Sequence, residues 1–466
     1  MKPAIEPLPD YDRLIDERCG ILTRIVRAER LPGVPEAYVS YVGDIADSRR
    51  SGGWQSDHAS LGASFHDASA ARRAAIGEAV ERYCGNFVPG DLTLASYAEL
   101  VAAGEPALDP EALALYSPRQ YDAPGFPFTR FTRDLRVRWA TGRDLMTGDS
   151  VRVPASIVYA NYFSGPRRTE PCTNFVNYTG IAAGPNRDAA ERAALEEVIE
   201  RDATVLWWSS GGHAPAVRID SAPMLEGALI SSPGTGADAI GYQLVWIKTA
   251  FDVPVIGALI EDHELGIVGL GVACRADPLQ AALKALAEAV YLRLFSLALL
   301  DPGSDAWASH ATSRVLTPYR ADRRYRDAFR DDFHDMTDLA HHAQIHLDRR
   351  MHRHLASLSN PATMNPTATI PLDDVPAVAG PDARAAYIER LCRHGFRPVS
   401  VDVTTPDVAS AGLCVVRVVV AGLYGNAPAA FPYLGGDRLY EEPVRLGWTT
   451  ERLTEDTIVR VPLPYA

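Results

Sequence analysis

Three segments of this sequence repeat one spacing, from a residue that can cap a helix to a glutamate eleven positions later. Each segment carries alanines seven and three positions before its glutamate and a β-branched residue two positions after it. Because eleven residues make about three helical turns, roughly 16 Å, the cap and the glutamate share one helical face. The intervals are Asp67 to Glu78, Asn186 to Glu197 and Asp277 to Glu288. The repeat predicts three similar helices that deliver carboxylates at the same depth to one polyacidic site.

Two of these helices carry a second glutamate three positions after the first. Glu81 shares a helical face with Glu78, and Glu200 shares one with Glu197. Like charges at this spacing destabilise a helix unless they are neutralised. Mg²⁺ prefers oxygen ligands and commonly bridges carboxylates to nucleotide phosphates, so the four glutamates are candidate metal ligands of a metal–nucleotide enzyme. For any one helix alone, the alternative is a solvated acidic face.

The third helix, over 277–300, is the most apolar. From position 279 onward it carries only Lys284, Glu288 and Arg293 as charged residues, which favours a buried core helix over a membrane span. Buried charges need partners. Lys284 is a candidate partner for Glu288, whereas Arg293 has no local carboxylate and requires a phosphate or a remote acid. Tyr291 stands where the other two helices have their second glutamate.

The composition argues against several classes of function. The chain has 466 residues and a formal net charge of −13, which is atypical of general nucleic-acid binders and of proteins that bind anionic membranes. Its six cysteines are scattered without a CxxC pair, which argues against a zinc knuckle or a disulfide framework and favours a cytoplasmic location. The amino terminus lacks the apolar stretch of a signal peptide.

The order of apolar runs and turn residues predicts a mixed α/β (α+β) fold without a clean internal linker. We expect an amino-terminal extension with short strands at 1–50, and one interwoven catalytic domain at 51–466 that ends in a proline-containing tail. Further strands are expected at 137–141, 151–163, 244–249, 253–260, 268–274, 399–404 and 413–420.

A histidine-rich segment is a second candidate metal site. His342 and His346 have the i, i+4 spacing that can hold zinc, but no HExxH sequence or cysteine lies nearby. We therefore expect a surface or partner-facing helix there. The sequence contains no P-loop, dinucleotide-binding or nucleophile-elbow motif.

The sequence resembles the YcaO family of ATP-dependent peptide-modifying enzymes over nearly its whole length. The matching segments include AAIGEAVERYCGNF at 74–87, YTGIAAGPNRDAAERAALEEVIERDA at 178–203 and ALAEAVYLRL at 285–294. LIDERCGILTRI at 14–25 and TTPDVASAGLCVVRVVVAGL at 404–423 also match. The VIERDA helix led by the TGIAAG loop is the most specific of these features.

This resemblance implies a YcaO-like fold, with three similar acidic helices packed on β-sheets around a central nucleotide site, and ATP and Mg²⁺ as cofactors. The pattern is most similar to the azoline-forming branch, which includes thiopeptide pathways. Such enzymes convert Cys, Ser or Thr of a ribosomal precursor peptide to thiazoline or oxazoline by phosphorylating the backbone amide oxygen. Carried over by position, the nucleotide-binding residues are Glu78, Arg82, Glu197, Arg201, Glu288 and Arg293, and the metal ligands are Glu78, Glu81, Glu197 and Glu200.

In this family the carboxyl-terminal tail reaches the active site. The resemblance therefore implies catalytic roles for Pro462, Pro464 and Ala466 beside Arg293, with the Ala466 carboxylate as a proton acceptor. A frayed terminus is the structural alternative.

The sequence departs from the family pattern at two places. Many relatives have Gly-Lys-Gly where this chain reads Gly62-Ala63-Ser64, and a glutamine is usual at the position of Tyr291. Two alternatives remain open: a thioamide- or amidine-forming enzyme of the same family, or a catalytically degenerate scaffold. The expected partners are a precursor peptide, a separate E1-like leader-binding protein and a second copy of the chain.

Overall fold

A computed structural model describes residues 10–47, 49, 57–231, 236–307, 315–355 and 369–465. These residues form three β-sheets and a set of helices, which confirms the predicted mixed α/β class. In the part of the chain that is described, no helix combines the length and the apolar character needed to cross a membrane.

The first sheet joins the amino-terminal residues to the rest of the chain. Its antiparallel order is β1 (Leu22–Arg27), β2 (Tyr38–Ile45) and β3 (Ala59–Phe65). β2 belongs to the expected extension and β3 to the expected catalytic domain. The boundary expected at residue 50 therefore falls between two strands that are paired in one sheet.

The second sheet has the order β4-β5-β13-β14-β7, with β6 also paired to β5. The third has the order β11-β10-β9-β8-β12, in which β8 and β12 pair in parallel and the other described pairs are antiparallel. The strands are β4 (Thr93–Ala95), β5 (Val137–Asp144), β6 (Ser150–Pro154), β7 (Ile181–Gly184), β8 (Ala216–Val217), β9 (Ile240–Ile247), β10 (Val255–Asp262), β11 (Ile267–Cys274), β12 (Thr369–Ile370), β13 (Pro398–Asp402) and β14 (Cys414–Val420).

Three helices are much longer than the rest, and they are the ones that the repeated spacing predicts. They are α1 (Ala68–Asn86), α5 (Arg187–Ser209) and α7 (Pro278–Leu300). Asp67, Asn186 and Asp277 cap them, as expected. The shorter helices are α2 (Tyr97–Ala102), α3 (Pro118–Tyr121), α4 (Ala155–Val158), α6 (Pro223–Ala228), α8 (Ala340–Ile345), α9 (Ala383–Arg393), α10 (Pro406–Ser410) and α11 (Arg438–Arg445).

The long helices pack in a closed cycle on three strands, one from each sheet. α1 packs on β3 and β7, α5 packs on β7 and β11, and α7 packs on β11 and β3. Each helix therefore contacts the strand that precedes it in the chain and the strand that precedes the next long helix. This cycle brings the same face of all three helices toward one centre.

Glycines on these strands explain the alanines of the repeat. A Cβ atom at Gly62 would collide with the backbone at Ala71, and one at Gly271 would collide with the carbonyl oxygen of Ala285. At Gly184 it would lie 2.5 Å from the amide nitrogen of Ala190. The small residues therefore let helix and strand backbones approach closely, which fixes the depth of each glutamate.

Two local predictions were wrong. The strand expected over 151–163 ends at Pro154 and is followed by the helical turn α4, since proline cannot donate the next ladder hydrogen bond. The helix expected on the surface, α8, is buried, with His342 and His346 5% and 1% exposed. Their ring nitrogens find partners inside the protein, the backbone N–H of Ala429 for His342 and the carbonyl oxygen of Pro462 for His346.

Candidate active site

The first glutamate of two repeats is held by the backbone that leads into its own helix. The carboxylate of Glu78 accepts a hydrogen bond from the N–H of Leu61 on β3, at 2.8 Å. That of Glu197 accepts one from the N–H of Gly180, the residue before β7, at 2.9 Å. Each carboxylate is thereby fixed at the strand that its helix packs against.

The second glutamate of each pair is held by the next strand of the cycle. Glu81 accepts a hydrogen bond from the N–H of Ala183 on β7, at 2.8 Å, and Glu200 accepts one from the N–H of Cys274 on β11, at 2.9 Å. The Glu-x-x-Glu spacing thus lets one helix accept hydrogen bonds from the backbone of two successive strands of the cycle. In each pair, one oxygen per carboxylate is anchored by the backbone. The second oxygen of Glu78 faces Arg82, and those of Glu197 and Glu200 face Arg201.

The third helix completes the cycle with different chemistry. Glu288 forms the expected pair with Lys284, at 3.2 Å between Oε1 and Nζ. Tyr291 takes the position of the second glutamate and lies near Glu78 and Arg82 of α1, and burial together with the Glu78 charge raises its pKa to about 12. A neutral phenol therefore stands where the pattern would place a third repelling acid.

The carboxylates are close enough to perturb one another. Burial raises the pKa of Glu81 to about 8, with further contributions from the charges of Glu197 and Glu78. Burial likewise raises the pKa of Glu200 to about 7, where Arg201 opposes the shift and Glu288 and Glu197 add to it. Side chains from all three helices therefore share one electrostatic environment.

Two arginines partly neutralise this acidic cluster, which we define as Glu78, Glu81, Glu197, Glu200 and Glu288. Arg82 lies 3.3 Å from Glu78 and 3.2 Å from Asp57, and its guanidinium stacks 4.1 Å from the centre of the Tyr178 ring. Arg201 lies 3.6 Å from Glu197 and 3.2 Å from Glu200. It also stacks 4.7 Å from the centre of the Tyr465 ring. Each arginine is thus fixed by an acid one turn earlier and by an aromatic ring from a distant segment.

The donor set fits Mg²⁺ with a nucleotide better than a metal bound by protein alone. Within the described ranges, no three His, Cys, Asp or Glu side chains lie close enough together to form a complete metal site. Mg²⁺ typically uses one or two carboxylates and fills its remaining positions with water and phosphate oxygens. The oxygens of Glu78, Glu81, Glu197 and Glu200 can supply that partial set. Burial raises the pKa of Glu81 and of Glu200, and a bound cation would favour their charged forms.

Arg293 forms a buried ion pair with an acid outside the three long helices. Its Nε and Nη2 atoms lie 2.9 and 2.8 Å from Oδ2 of Asp262 at the end of β10, and both side chains are buried. Of the two partners that the sequence left open, the structure provides the remote acid. The predicted roles of Arg293 in catalysis and nucleotide binding remain predictions, and this geometry does not favour them.

The proline segment, which we define as residues 458–465, runs to the acidic cluster. The carbonyl oxygen of Pro464 accepts a hydrogen bond from the N–H of Leu270 on β11, at 2.8 Å, and that of Pro462 is 2.7 Å from Nε2 of His346. The segment ends with Tyr465 stacked on Arg201. Ala466, the expected proton acceptor, lies outside the described residues.

Sequence reasoning missed Arg417. This residue on β14 is 1% exposed, and among the described residues its guanidinium forms one hydrogen bond, from Nη1 to the carbonyl oxygen of Asn177, at 2.9 Å. Its Nε has no partner among the described residues, and burial lowers its pKa to about 10, partly opposed by the Glu197 charge. A buried, incompletely paired guanidinium beside Glu197 is a candidate anion ligand. The signal was the single charge in the run CVVRVVV.

Comparisons with known proteins support the family assignment and the fold. A family model described as a YcaO cyclodehydratase that binds ATP and Mg²⁺ matches residues 64–424. An uncharacterized protein from Methanothermobacter thermautotrophicus is 27% identical over 365 residues, which are 76% of this chain and 78% of that protein.

Solved structures share the fold at low sequence identity. A heterocyclase in complex with substrate and cofactor is 22% identical with a TM-score of 0.71, over 97% of this chain. The matched region is 56% of that longer heterocyclase chain. A YcaO protein from Methanopyrus kandleri, bound with AMPPCP and Mg²⁺, is 19% identical with a TM-score of 0.54 over 86% of both chains.

Proposed function

The chain belongs to the YcaO family of ATP- and Mg²⁺-binding cyclodehydratases, and we propose that it forms azolines in a ribosomally made precursor peptide. In this reaction a Cys thiol, or a Ser or Thr hydroxyl, adds to the preceding backbone carbonyl. ATP, when bound, would phosphorylate the amide oxygen, which then leaves as phosphate, so that ATP becomes ADP and the peptide loses the elements of one water. The supporting observation is the convergence of glutamates from α1 and α5, each anchored by a backbone amide.

The four glutamates are the proposed Mg²⁺ ligands. Glu78, Glu81, Glu197 and Glu200 each have one oxygen committed to a backbone N–H. This anchoring presets the position of the second oxygen before the nucleotide binds. Phosphoryl transfer depends mainly on positioning and charge neutralisation, so such preorganisation is the main contribution that these side chains make.

The arginines are the proposed phosphate contacts. Arg82 and Arg201 keep donor atoms beside the acids that would hold Mg²⁺. Arg417 has an unpaired nitrogen and no carboxylate within ion-pair distance among the described residues. We propose that the negative charge of the nucleotide phosphates provides the partner that this guanidinium lacks.

The proline segment is the proposed source of the proton acceptor. It brings Tyr465 against Arg201, which contacts Glu197 and Glu200. We keep the carboxylate of Ala466 as the proposed acceptor of the proton released by the attacking thiol or hydroxyl, with Pro462 and Pro464 restricting its position.

The precursor peptide, a separate leader-binding partner and a second copy of the chain are also proposals. The longer heterocyclase chain extends well beyond the region that matches this sequence. A separate protein that supplies peptide recognition is consistent with that difference.

The direct test combines the purified chain, its partner and the precursor peptide with Mg²⁺ and ATP. We expect the peptide to lose about 18 Da, one water, for each amide oxygen that is activated. Hydrolysis of ATP without loss of mass from the peptide would contradict the proposal. A gain of about 16 Da would identify exchange of oxygen for sulfur after the same activation, and thus a thioamide-forming enzyme.

A pair of variants on α5 controls this experiment. Glu200→Gln should abolish the mass change because it removes a proposed Mg²⁺ ligand. Glu191→Gln alters the same chemical group nine residues earlier on the same helix, where the carboxylate pairs with Arg143 and Arg384 instead. The second variant should retain the mass change.

A further inference from the structure

Among the described residues, four hydrogen bonds join the backbone of the proline segment to three separate parts of the fold. The N–H of Val459 donates to the carbonyl oxygen of Ser209, at 2.9 Å, and Nε1 of Trp208 donates to the carbonyl oxygen of Val461, at 2.6 Å. The other two are the His346 contact with Pro462, at 2.7 Å, and the Leu270 contact with Pro464, at 2.8 Å. The anchors therefore come from the end of α5, from β11 and from the residue that follows α8.

The His346 contact has a defined chemical direction. A carbonyl oxygen can only accept, so Nε2 of His346 carries the proton and donates it to Pro462. His346 is 1% exposed and stands 116 positions before Pro462 in the sequence. The bond is therefore sheltered from water, and losing the donor would leave a buried carbonyl oxygen unsatisfied.

α8 also binds a second carboxyl-terminal segment, through the ring of His342. His342, one turn earlier, uses Nε2 to accept a hydrogen bond from the N–H of Ala429, at 3.1 Å. Burial lowers the pKa of His342 to about 3, so this ring stays neutral at physiological pH and can serve as an acceptor. The two histidines thus have opposite roles, one as acceptor for residue 429 and one as donor to the proline segment.

At its two prolines the segment can form backbone hydrogen bonds only through carbonyl oxygens. Pro462 and Pro464 have no N–H, so at these positions the backbone can only accept. Their fixed φ angles also reduce the conformational freedom that is lost when the segment is ordered. A donor on the protein side, such as the imidazole of His346, is the kind of group that can set the register of such a segment.

The register decides whether Tyr465 reaches Arg201. Tyr465 follows Pro462 by three residues, and an extended chain advances about 3.3 Å per residue. A slip of one residue would thus move the ring by about that distance, more than half of the 4.7 Å between the Tyr465 ring centre and the Arg201 guanidinium. Arg201 in turn contacts Glu197 and Glu200.

We propose that His346 is a positioning residue which, with Trp208, sets the register of the proline segment over Arg201 and the acidic cluster. This inference rests on the proposed function, because it assigns a catalytic purpose to that register. The imidazole of His346 binds the segment at Pro462, so its effect on turnover passes through the segment.

The test compares His346→Met, which removes the donor, with His346→Gln, whose amide nitrogen can replace Nε2 as donor. His346→Met should lower kcat for ATP-dependent loss of water from the peptide by about tenfold or more, the effect of losing one buried hydrogen bond. KM for ATP should change by no more than about twofold, because no nucleotide-site side chain is altered. His346→Gln should restore most of kcat. Trp208→Phe, which removes the other side-chain donor, should act in the same direction as His346→Met, and His342→Gln, which keeps an acceptor for Ala429, should leave kcat unchanged.

Hydrogen exchange at the amide of Leu270 reports the seating of the segment without reference to any reaction. This amide should exchange faster in His346→Met than in the wild-type protein, and His346→Gln should restore its protection. If His346→Met frees the amide but keeps wild-type kcat, or if His346→Gln is as impaired as His346→Met in both kcat and thermal stability, the positioning role is refuted. If the wild-type protein removes no water from any precursor, the proposed function fails, while Leu270 exchange still decides whether His346 anchors the segment.

Discussion

Replacing Glu200 by glutamine separates the charge of this side chain from its shape. Glu200 is 4% exposed, and its Oε2 accepts the hydrogen bond from the N–H of Cys274, at 2.9 Å. The amide oxygen of glutamine can accept the same bond, so packing and backbone anchoring are retained. Because burial raises the pKa of Glu200 to about 7, the negative charge is already disfavoured in the folded protein. We therefore expect the free energy of unfolding of Glu200→Gln to stay within about 1 kcal/mol of the wild-type value at pH 7.

The affinity of Glu200→Gln for the nucleotide with Mg²⁺ should fall much more than its stability does. Two unit charges about 4 Å apart interact by about 4 kcal/mol at the effective dielectric constant of roughly 20 that suits sites near a protein surface. Water can replace part of the lost ligand, so we expect a loss of about 2–4 kcal/mol, or about 30- to 700-fold weaker affinity. Isothermal titration calorimetry with a non-hydrolysable ATP analogue and Mg²⁺ measures this change directly.

Glu191→Gln is the matched control for this prediction. The Glu191 side chain is fully buried and accepts hydrogen bonds from Arg143, at 2.9 Å, and Arg384, at 2.7 Å. Removing its charge should lower the free energy of unfolding by about 2 kcal/mol and leave nucleotide affinity within about threefold, since its partners lie outside the acidic cluster. Wild-type affinity in Glu200→Gln, or equal loss of affinity in both variants, would refute the reasoning.

Three further predictions concern other parts of the structure. Burial lowers the pKa of His342 to about 3, so between pH 6.5 and 3 a proton binds the unfolded chain more tightly and stability falls as the pH drops. Between pH 7 and pH 5, the free energy of unfolding measured with urea should therefore fall about 2 kcal/mol less for His342→Gln than for the wild-type protein. Arg417→Met should keep thermal stability within a few degrees and weaken nucleotide affinity at least about tenfold by calorimetry, since Arg417 has no carboxylate partner among the described residues; a loss of stability with normal affinity would contradict this. Gly271→Ala should lower the free energy of unfolding by about 3 kcal/mol, because the new Cβ would collide with Ala285. Gly77→Ala on α1, whose Cβ meets no atom within 4 Å, should be neutral or stabilising by up to about 1 kcal/mol. Equal effects of the two substitutions would contradict the close approach of β11 and α7.

The sequence was sufficient for the features that depend on local periodicity. The three long helices, their caps and the shared face of each glutamate pair follow from spacing alone, because a helix converts spacing directly into orientation. The Lys284–Glu288 pair was also foreseen, since residues four apart on a helix are neighbours. These contacts need no knowledge of the tertiary fold.

Contacts between distant segments could not be read in the same way. Asp262 precedes Arg293 by 31 positions, and Pro462 follows His346 by 116 positions, so nothing in the local pattern connects either pair. A polar run usually lies on the surface, so the sequence favours an exposed position for His342 and His346. They are buried instead because the carboxyl-terminal segments supply their hydrogen-bonding partners.

The central claim is that glutamates from separate helices hold one Mg²⁺–nucleotide site, and anomalous diffraction tests it most directly. Crystals of the chain grown with Mn²⁺ in place of Mg²⁺ and a non-hydrolysable ATP analogue should show anomalous density about 2.0–2.3 Å from carboxylate oxygens drawn from both pairs, Glu78–Glu81 and Glu197–Glu200. Manganese bound at another place, with these carboxylates still held only by backbone amides and arginines, would contradict the account.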